Sequence, residues 1–298
     1  MSGIVRFAPS PTGFLHEGHL LSALYVWAAA KKWGLKVHLR IEDHDQSRAR
    51  PAYIKGIRED LAWLGFHYDS ESIQNARNAI YEAALQKLLA KSLVYPCYCS
   101  RKQLLAENPQ SDTGEIIYQG KCYYRRETSW LQGEPAEVNR MEPHNLRFIV
   151  PDKFIDWHDL RLGDFHENPK LQCGDFPLRD REGQWTYQFA VCVDDIDEHV
   201  THIVRGEDIR NSTARQIALM EALGHDKRPI YLHHPLIVDE NNKKLSKREL
   251  AHSLRQDKDE GVSPETLFGR VCHKAHLTES AAPLTLDNAI SITLNHLP

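Results

Sequence analysis

The sequence predicts an α/β fold: a parallel-sheet nucleotide-binding domain in two halves, an inserted α+β region between them, and a short helical C-terminal segment. Three observations predict it. Residues 3–64 alternate apolar strand-like and helical segments, the pattern of a parallel sheet with right-handed crossovers. That rhythm breaks from 93 to about 180, where cysteines, tyrosines and glycines replace long amphipathic segments. It resumes at "TYQFAVCVDD" (186–195) and "HVTHIVRGED" (199–208).

The elements follow in order. Residues 3–8 read as a short strand entering the Pro/Gly turn "PSPTG". In 19–33, Leu20, Leu24, Trp27 and Ala28 recur at helical spacing, with Gly34 at the C-cap position. "LKVHLRIE" (35–42) is the next strand, and Pro51 opens a helix through Leu64 that Gly65 closes. A further helix covers about 75–92. Cys192 reads as a position on an apolar strand. Residues 211–224 read as a helix with Ser212 or Thr213 as N-cap, and 229–240 as a strand leading into the basic run "KKLSKR". One or two small helices are expected beyond 250. The expected units are therefore 1–92, the first half of the main domain; 93–180, the insertion; 181–250, the second half; and 251–298, the C-terminal segment.

With 298 residues, 41% hydrophobic and 26% charged, the chain suits one large domain or two smaller ones. No apolar run approaches the roughly 20 residues of a membrane span, and the N-terminus lacks a signal-peptide pattern; a cytoplasmic location is expected. A net charge of −4 provides no overall attraction for nucleic acid, so any such contact depends on a local patch. The six cysteines point to metal ligands or reduced thiols rather than disulfides.

Two stretches carry phosphate chemistry. "PSPTGFLHEGH" (9–19) leaves a strand and enters a helix N-terminus, where free N–H groups and the helix dipole favour anions. His16 and His19 add hydrogen-bond donors, and Gly18 is expected to give a nucleotide room. The stretch is neither a GxGxxG nor a Walker A pattern. In "KKLSKR" (243–248), a lysine after a strand can reach a pyrophosphate as a point charge. In the insertion, Cys97, Cys99 and Cys122 supply three thiolates, and tetrahedral zinc needs a fourth ligand. Tyr118, Tyr123, Tyr124 or water are the nearby choices. Cys173, Cys192 and Cys272 read as ordinary thiols.

Together, "PSPTGFLHEGH" and "KLSKR" resemble the two signature motifs of class I aminoacyl-tRNA synthetases, Leu245 and Arg248 departing from the commoner form of the second. "RFAPSPTG" (6–13), "RIEDHDQSR" (40–48), "TYQFAVCVDD" and "IVRGEDI" (203–209) are similar to the glutamyl branch. The resemblance covers about residues 3–250 and implies a Rossmann-like catalytic domain. It implies His16, His19 and Lys247 as catalytic groups, and Pro9, His16, Gly18, His19, Lys244 and Lys247 around ATP with Mg²⁺. For L-glutamate it implies Arg6, Ala8, Ser10, Glu42, Tyr187 and Arg205. A bidentate arginine suits the carboxylate, Glu42 the ammonium, and Ser10 and Tyr187 give neutral hydrogen bonds. About 50 residues follow Lys247, too few for an anticodon-binding domain. The chain thus resembles the stand-alone glutamyl-Q tRNA(Asp) synthetase family, a ligase family whose acceptor is the queuosine base of tRNA(Asp). That family implies one structural zinc on Cys97, Cys99, Tyr118 and Cys122, and a monomer. A short glutamyl-tRNA synthetase charging a tRNA 3′ end, a non-catalytic RNA-binding paralogue and a different nucleotidyltransferase on this fold are the rival readings.

Overall fold

The computed structural model describes residues 3–111, 114–125, 143–237 and 252–298. Its strands are β1 Ile4–Phe7, β2 Lys36–Ile41, β3 Ser70–Ile73, β4 Val94–Cys97, β5 Asn145–Phe148, β6 Ile155–Asp159, β7 Gly163–Glu167, β8 Pro177–Arg179, β9 His202–Gly206 and β10 Ile230–His234. The main sheet runs β3-β2-β1-β9-β10-β6-β7, and β4-β5-β8 form a second sheet. Every pairing in the main sheet is parallel except β6 with β7, whereas the second sheet is antiparallel.

The first helix, α1 (Glu17–Trp33), is buried nearly all round: Leu20, Leu21, Leu24, Val26 and Ala28 are each at most 1% exposed. It packs on β1 and β9 on one side and on C-terminal helices on the other, so an amphipathic stripe is not required of it. α2 (Pro51–Trp63) carries Pro51 in its first turn, where the missing N–H costs nothing. A short 3₁₀ turn, Gln74–Arg77, precedes α3 (Asn78–Ala90). Helices α4 (Arg101–Glu107), α5 (Lys121–Arg125) and α6 (Pro169–Cys173) lie in the middle of the chain.

The apolar stretch around Cys192 is helical, correcting its reading as a strand: it forms α7 (Tyr187–Asp197). Phe189 to Val193 are consecutive buried residues, and an unbroken apolar run of this length has no period by which to tell helix from strand. Cys192 packs against α8 (Thr213–Ala222), its Sγ 3.7 Å from the Gln216 carbonyl oxygen. α7 also carries Asp194 and Asp195, both buried, and Asp195 meets Arg6 of β1 and Arg40 of β2.

Strands β6 and β7 fall inside the 93–180 stretch yet extend the main sheet, so its chain divides between two sheets. Their alternating "IDWHD" and "GDFHE" match an edge hairpin with one covered face. Beyond 251 there are three helices, not one or two: α9 (Leu254–Asp259), α10 (Pro264–Lys274) and α11 (Leu286–Asn295). Leu267, Phe268 and Val271 of α10 join the α1 core, each contributing about 1.5–3 kcal/mol of apolar burial. Among the described residues no helix is long and apolar enough to cross a membrane.

Candidate active site and thiolate cluster

Parallel strands β1, β2 and β9 all end on one side of the sheet, where an open α/β sheet takes its ligands. A cavity of about 1090 Å³ opens there, beside the N-terminus of α1. The structure brings Arg6, Ala8, Pro9, Ser10, His16, His19, Glu42, Tyr187 and Arg205 to this single cavity. Gly18 does not line it, and Lys244 and Lys247 lie outside the described residues.

The two histidines are the cap of α1. His16 has an extended backbone, and its Nδ1 accepts from Gly18 N–H at 3.1 Å. His19 Nδ1 accepts from His16 N–H at 3.2 Å. This is a capping box built from imidazoles rather than from Ser and Glu. Because both Nδ1 atoms accept, each ring carries its proton on Nε2 and acts as a neutral donor. Burial, with His16 alongside, holds His19 down at about 3, so at neutral pH the ring is an uncharged dipole. Beside Gly18 the nearby space is taken by the His16 ring: a Cβ there would stand 3.0 Å from His16 Cε1.

The arginines differ in what neutralises them. Arg6 Nε donates to Asp195 at 3.1 Å. Arg40, fully buried and absent from the sequence expectation, donates to Asp195 and Glu198 at 2.6 Å each. Arg205 instead has only neutral acceptors: His233 Nε2 at 2.9 Å, Gln216 Oε1 at 2.7 Å and Thr213 Oγ1 at 2.8 Å. No carboxylate among the described residues pairs with it. Glu42 is 4% exposed, and burial pushes its carboxyl up to about 7, against the opposing pull of Arg40 and Arg6. Burial also raises the Tyr187 phenol. The cavity lining thus includes a guanidinium with no carboxylate partner among the described residues and a buried carboxyl.

Several lining residues went unremarked in the sequence. His44 and Arg48 sit inside "RIEDHDQSR", but nothing in the sequence singled them out. His44 is held by Gln74 at 2.8 Å. Ser253, Arg255 and Gln256 line the cavity from α9, which docks through Leu254 N–H on the Leu15 carbonyl at 2.8 Å. No local pattern announces a contact between chain segments so far apart.

The second site is the thiolate cluster. The sulfurs of Cys97, Cys99 and Cys122 lie within 4.8 Å of one another. Tyr118 Oη is 3.5 Å from Cys97 Sγ and 3.6 Å from Cys99 Sγ, and Cys99 and Cys122 sulfurs are 3.4 Å apart. Tetrahedral ligation with bonds of about 2.3 Å to sulfur and 2.0 Å to oxygen has S···O edges of about 3.5 Å and S···S edges of about 3.8 Å. The four groups therefore fit a tetrahedral metal. The Cys122 N–H donates to Tyr118 Oη at 2.9 Å, and the Arg147 guanidinium lies 4.0 Å over the phenol ring; burial and the neighbouring thiols nevertheless hold the phenol's pKa well above its ordinary value, so without a metal it keeps its proton. Tyr123, the alternative fourth ligand, packs edge-on against Tyr95 at 5.5 Å.

The chain matches the family described as tRNA synthetases class I (E and Q), catalytic domain, over residues 4–288. It is 41% identical over 259 residues to a glutamyl-Q tRNA(Asp) synthetase of Geobacter sulfurreducens, covering 86% of this chain and 79% of that protein. It is 40% identical over 289 residues to the one from Burkholderia mallei, covering 95% and 91%. The glutamate-tRNA synthetase of Elizabethkingia anophelis superposes with a TM-score of 0.79 at 28% identity, covering 98% of this chain and 66% of that one. The chain belongs to the class I aminoacyl-tRNA synthetases, ligases of the glutamyl and glutaminyl type, and within them to the glutamyl-Q tRNA(Asp) synthetase family.

Proposed function

We propose that the protein activates L-glutamate with ATP and transfers it to the queuosine base of tRNA(Asp). The observation that carries the first half is the pairing, in one cavity, of Arg205, which has no carboxylate partner among the described residues, and buried Glu42 beside the His16–His19 cap. Arg205, with Arg6, receives carboxylate. Glu42 receives the ammonium, which lets it ionise where burial alone keeps it half-protonated at neutral pH. Tyr187, Ser10 and the backbone at Ala8 orient the amino acid.

A glutamate α-carboxylate oxygen attacks the α-phosphorus of ATP; the new P–O bond forms as the bond to pyrophosphate breaks. Positioning and charge neutralisation dominate such a transfer. His16 and His19 Nε2–H groups and the turn that runs from Pro9 into α1 hold phosphate oxygens, while Lys244 and Lys247 meet the leaving pyrophosphate. Magnesium, arriving with ATP, supplies further charge neutralisation. In the second step a nucleophile on the queuosine base attacks the acyl carbon and AMP leaves. The acceptor rests on the names of the relatives. Zinc on Cys97, Cys99, Tyr118 and Cys122 has a structural role, holding the β4 end against the 118–122 turn, and the protein works as a monomer.

Glutamate-dependent ATP–pyrophosphate exchange tests activation. Exchange is expected with glutamate, with glutamine and aspartate inactive, and Lys247→Ala is expected to slow it at least 100-fold. Exchange that ignores the amino acid, or full exchange by Lys247→Ala, overturns the assignment.

A further inference from the structure

We propose that His233, fixed in one tautomer by Asp159, is a positioning residue that sets the Arg205 guanidinium for the carboxylate of the amino acid. This rests on the glutamate reading above and names residues that neither the signature motifs nor the cavity lining include.

Asp159 closes β6 and His233 lies on the neighbouring β10; both side chains are fully buried. Asp159 Oδ2 accepts from the His233 backbone N–H at 2.9 Å and meets His233 Nδ1 at 2.7 Å. Its other oxygen accepts from the backbone N–H groups of Arg161 and Leu162 at 3.0 and 2.9 Å. Those bonds hold Asp159 below the ordinary carboxylate range despite its burial, so it remains an acceptor. The His233 proton therefore resides on Nδ1, and Nε2 presents a lone pair. Arg205 Nε–H donates to that lone pair at 2.9 Å. Burial and the facing guanidinium keep His233 neutral, against the pull of Asp159.

The rest of Arg205 is held as tightly. Its two terminal nitrogens donate to Gln216 Oε1 and Thr213 Oγ1, and Gln216 Nε2 donates on to Gln188 at 2.9 Å. A guanidinium has five N–H groups; with three committed, two remain, one on each terminal nitrogen. Every partner among the described residues is neutral, so the positive charge and the remaining N–H pair are left for a ligand carboxylate in bidentate geometry. Had Asp159 approached Arg205 directly, as Asp195 approaches Arg6, it would have neutralised the charge. The imidazole between them transmits orientation without a counter-ion.

Two substitutions separate the halves of the relay. His233→Asn keeps a donor for Asp159 but withdraws the acceptor from Arg205. His233→Gln places an amide oxygen where Nε2 stood and restores that acceptor. In exchange assays on the full chain, His233→Asn is expected to raise the KM for glutamate 10- to 100-fold. The KM for ATP should stay within about twofold and kcat within a few-fold. His233→Gln should recover most of the loss. Equal KM for glutamate in both variants, or parallel loss for both substrates with a lowered Tm, overturns the proposal. NMR of the wild-type protein needs neither variant nor activity: the His233 ring nitrogens should report a proton on Nδ1, and the Arg205 Nε–H should exchange slowly. A proton on Nε2 overturns the relay whatever the substrate. Wild-type protein showing that relay but failing to bind glutamate overturns the glutamate reading and with it the carboxylate assignment.

Discussion

Replacing Glu42 by glutamine isolates the energetic cost of the amino-acid site. The Glu42 carboxyl stands at about 7 in the folded protein against 4.5 for an ordinary glutamate, chiefly through burial. That gap of about 2.5 pH units, at about 1.4 kcal/mol each, means that ionised Glu42 costs the empty protein about 3 kcal/mol. The folded state keeps its proton to a higher pH than the unfolded state. Stability contributed by Glu42 is thus fully present below pH 4.5 and is lost as the pH rises through 7. Glu42→Gln, close in shape and never ionised, should gain on the wild type across that window and lead by about 3 kcal/mol at pH 8. Urea unfolding at intervals from pH 4.5 to 8 measures the difference. Calorimetry with glutamate measures the counterpart. Wild-type binding should strengthen about tenfold per pH unit between 5 and 7 and level off above, whereas Glu42→Gln should bind weakly without that dependence. Parallel stability curves, or a variant less stable at pH 8, would refute the reasoning.

Other substitutions test the two sites separately. His16→Ala removes the α1 cap and should cost about 1 kcal/mol in unfolding experiments, with a larger fall in exchange rate as the phosphate donor is lost. Gly174 adopts a φ of +64°, and a Cβ there would stand 2.1 Å from the Tyr118 carbonyl oxygen. Gly174→Ala should therefore lower stability by about 1–3 kcal/mol and reduce bound metal, measured by elemental analysis. Cys122→Ser should lower metal content in the same way while leaving glutamate-dependent exchange within a few-fold, because none of the cluster residues lines the cavity; an equal loss of both would assign the metal a catalytic role.

The cavity was legible in sequence because its groups sit on short segments at strand ends. Arg6, Ser10, Glu42 and Arg205 each lie at or within a few residues of a strand terminus, and a parallel sheet carries such positions to one edge. The thiolate cluster was legible because Cys97 and Cys99 are nearly adjacent and Tyr118 precedes Cys122 by one helical turn's spacing. What sequence could not show is how groups are paired. Arg6, Arg40 and Arg205 look alike in the chain, and only the buried acids on α7 tell which guanidinium is already neutralised. Misreading α7 as a strand hid that, since an unbroken apolar run such as Phe189–Val193 has no period to read. The capping role of His16 and His19 was hidden for another reason: imidazoles seldom occupy positions where serine and glutamate are expected. The Asp159–His233 pair spans two strands 74 residues apart, and only strand order reveals it.

The measurement that bears most directly on the account is acceptor choice. Purified protein with ATP and labelled glutamate is offered tRNA(Asp) containing queuosine, the same tRNA lacking it, and tRNA(Glu). Label on the queuosine-containing tRNA(Asp) alone is the predicted result. Label on tRNA(Glu), or on tRNA(Asp) whether or not queuosine is present, would contradict it.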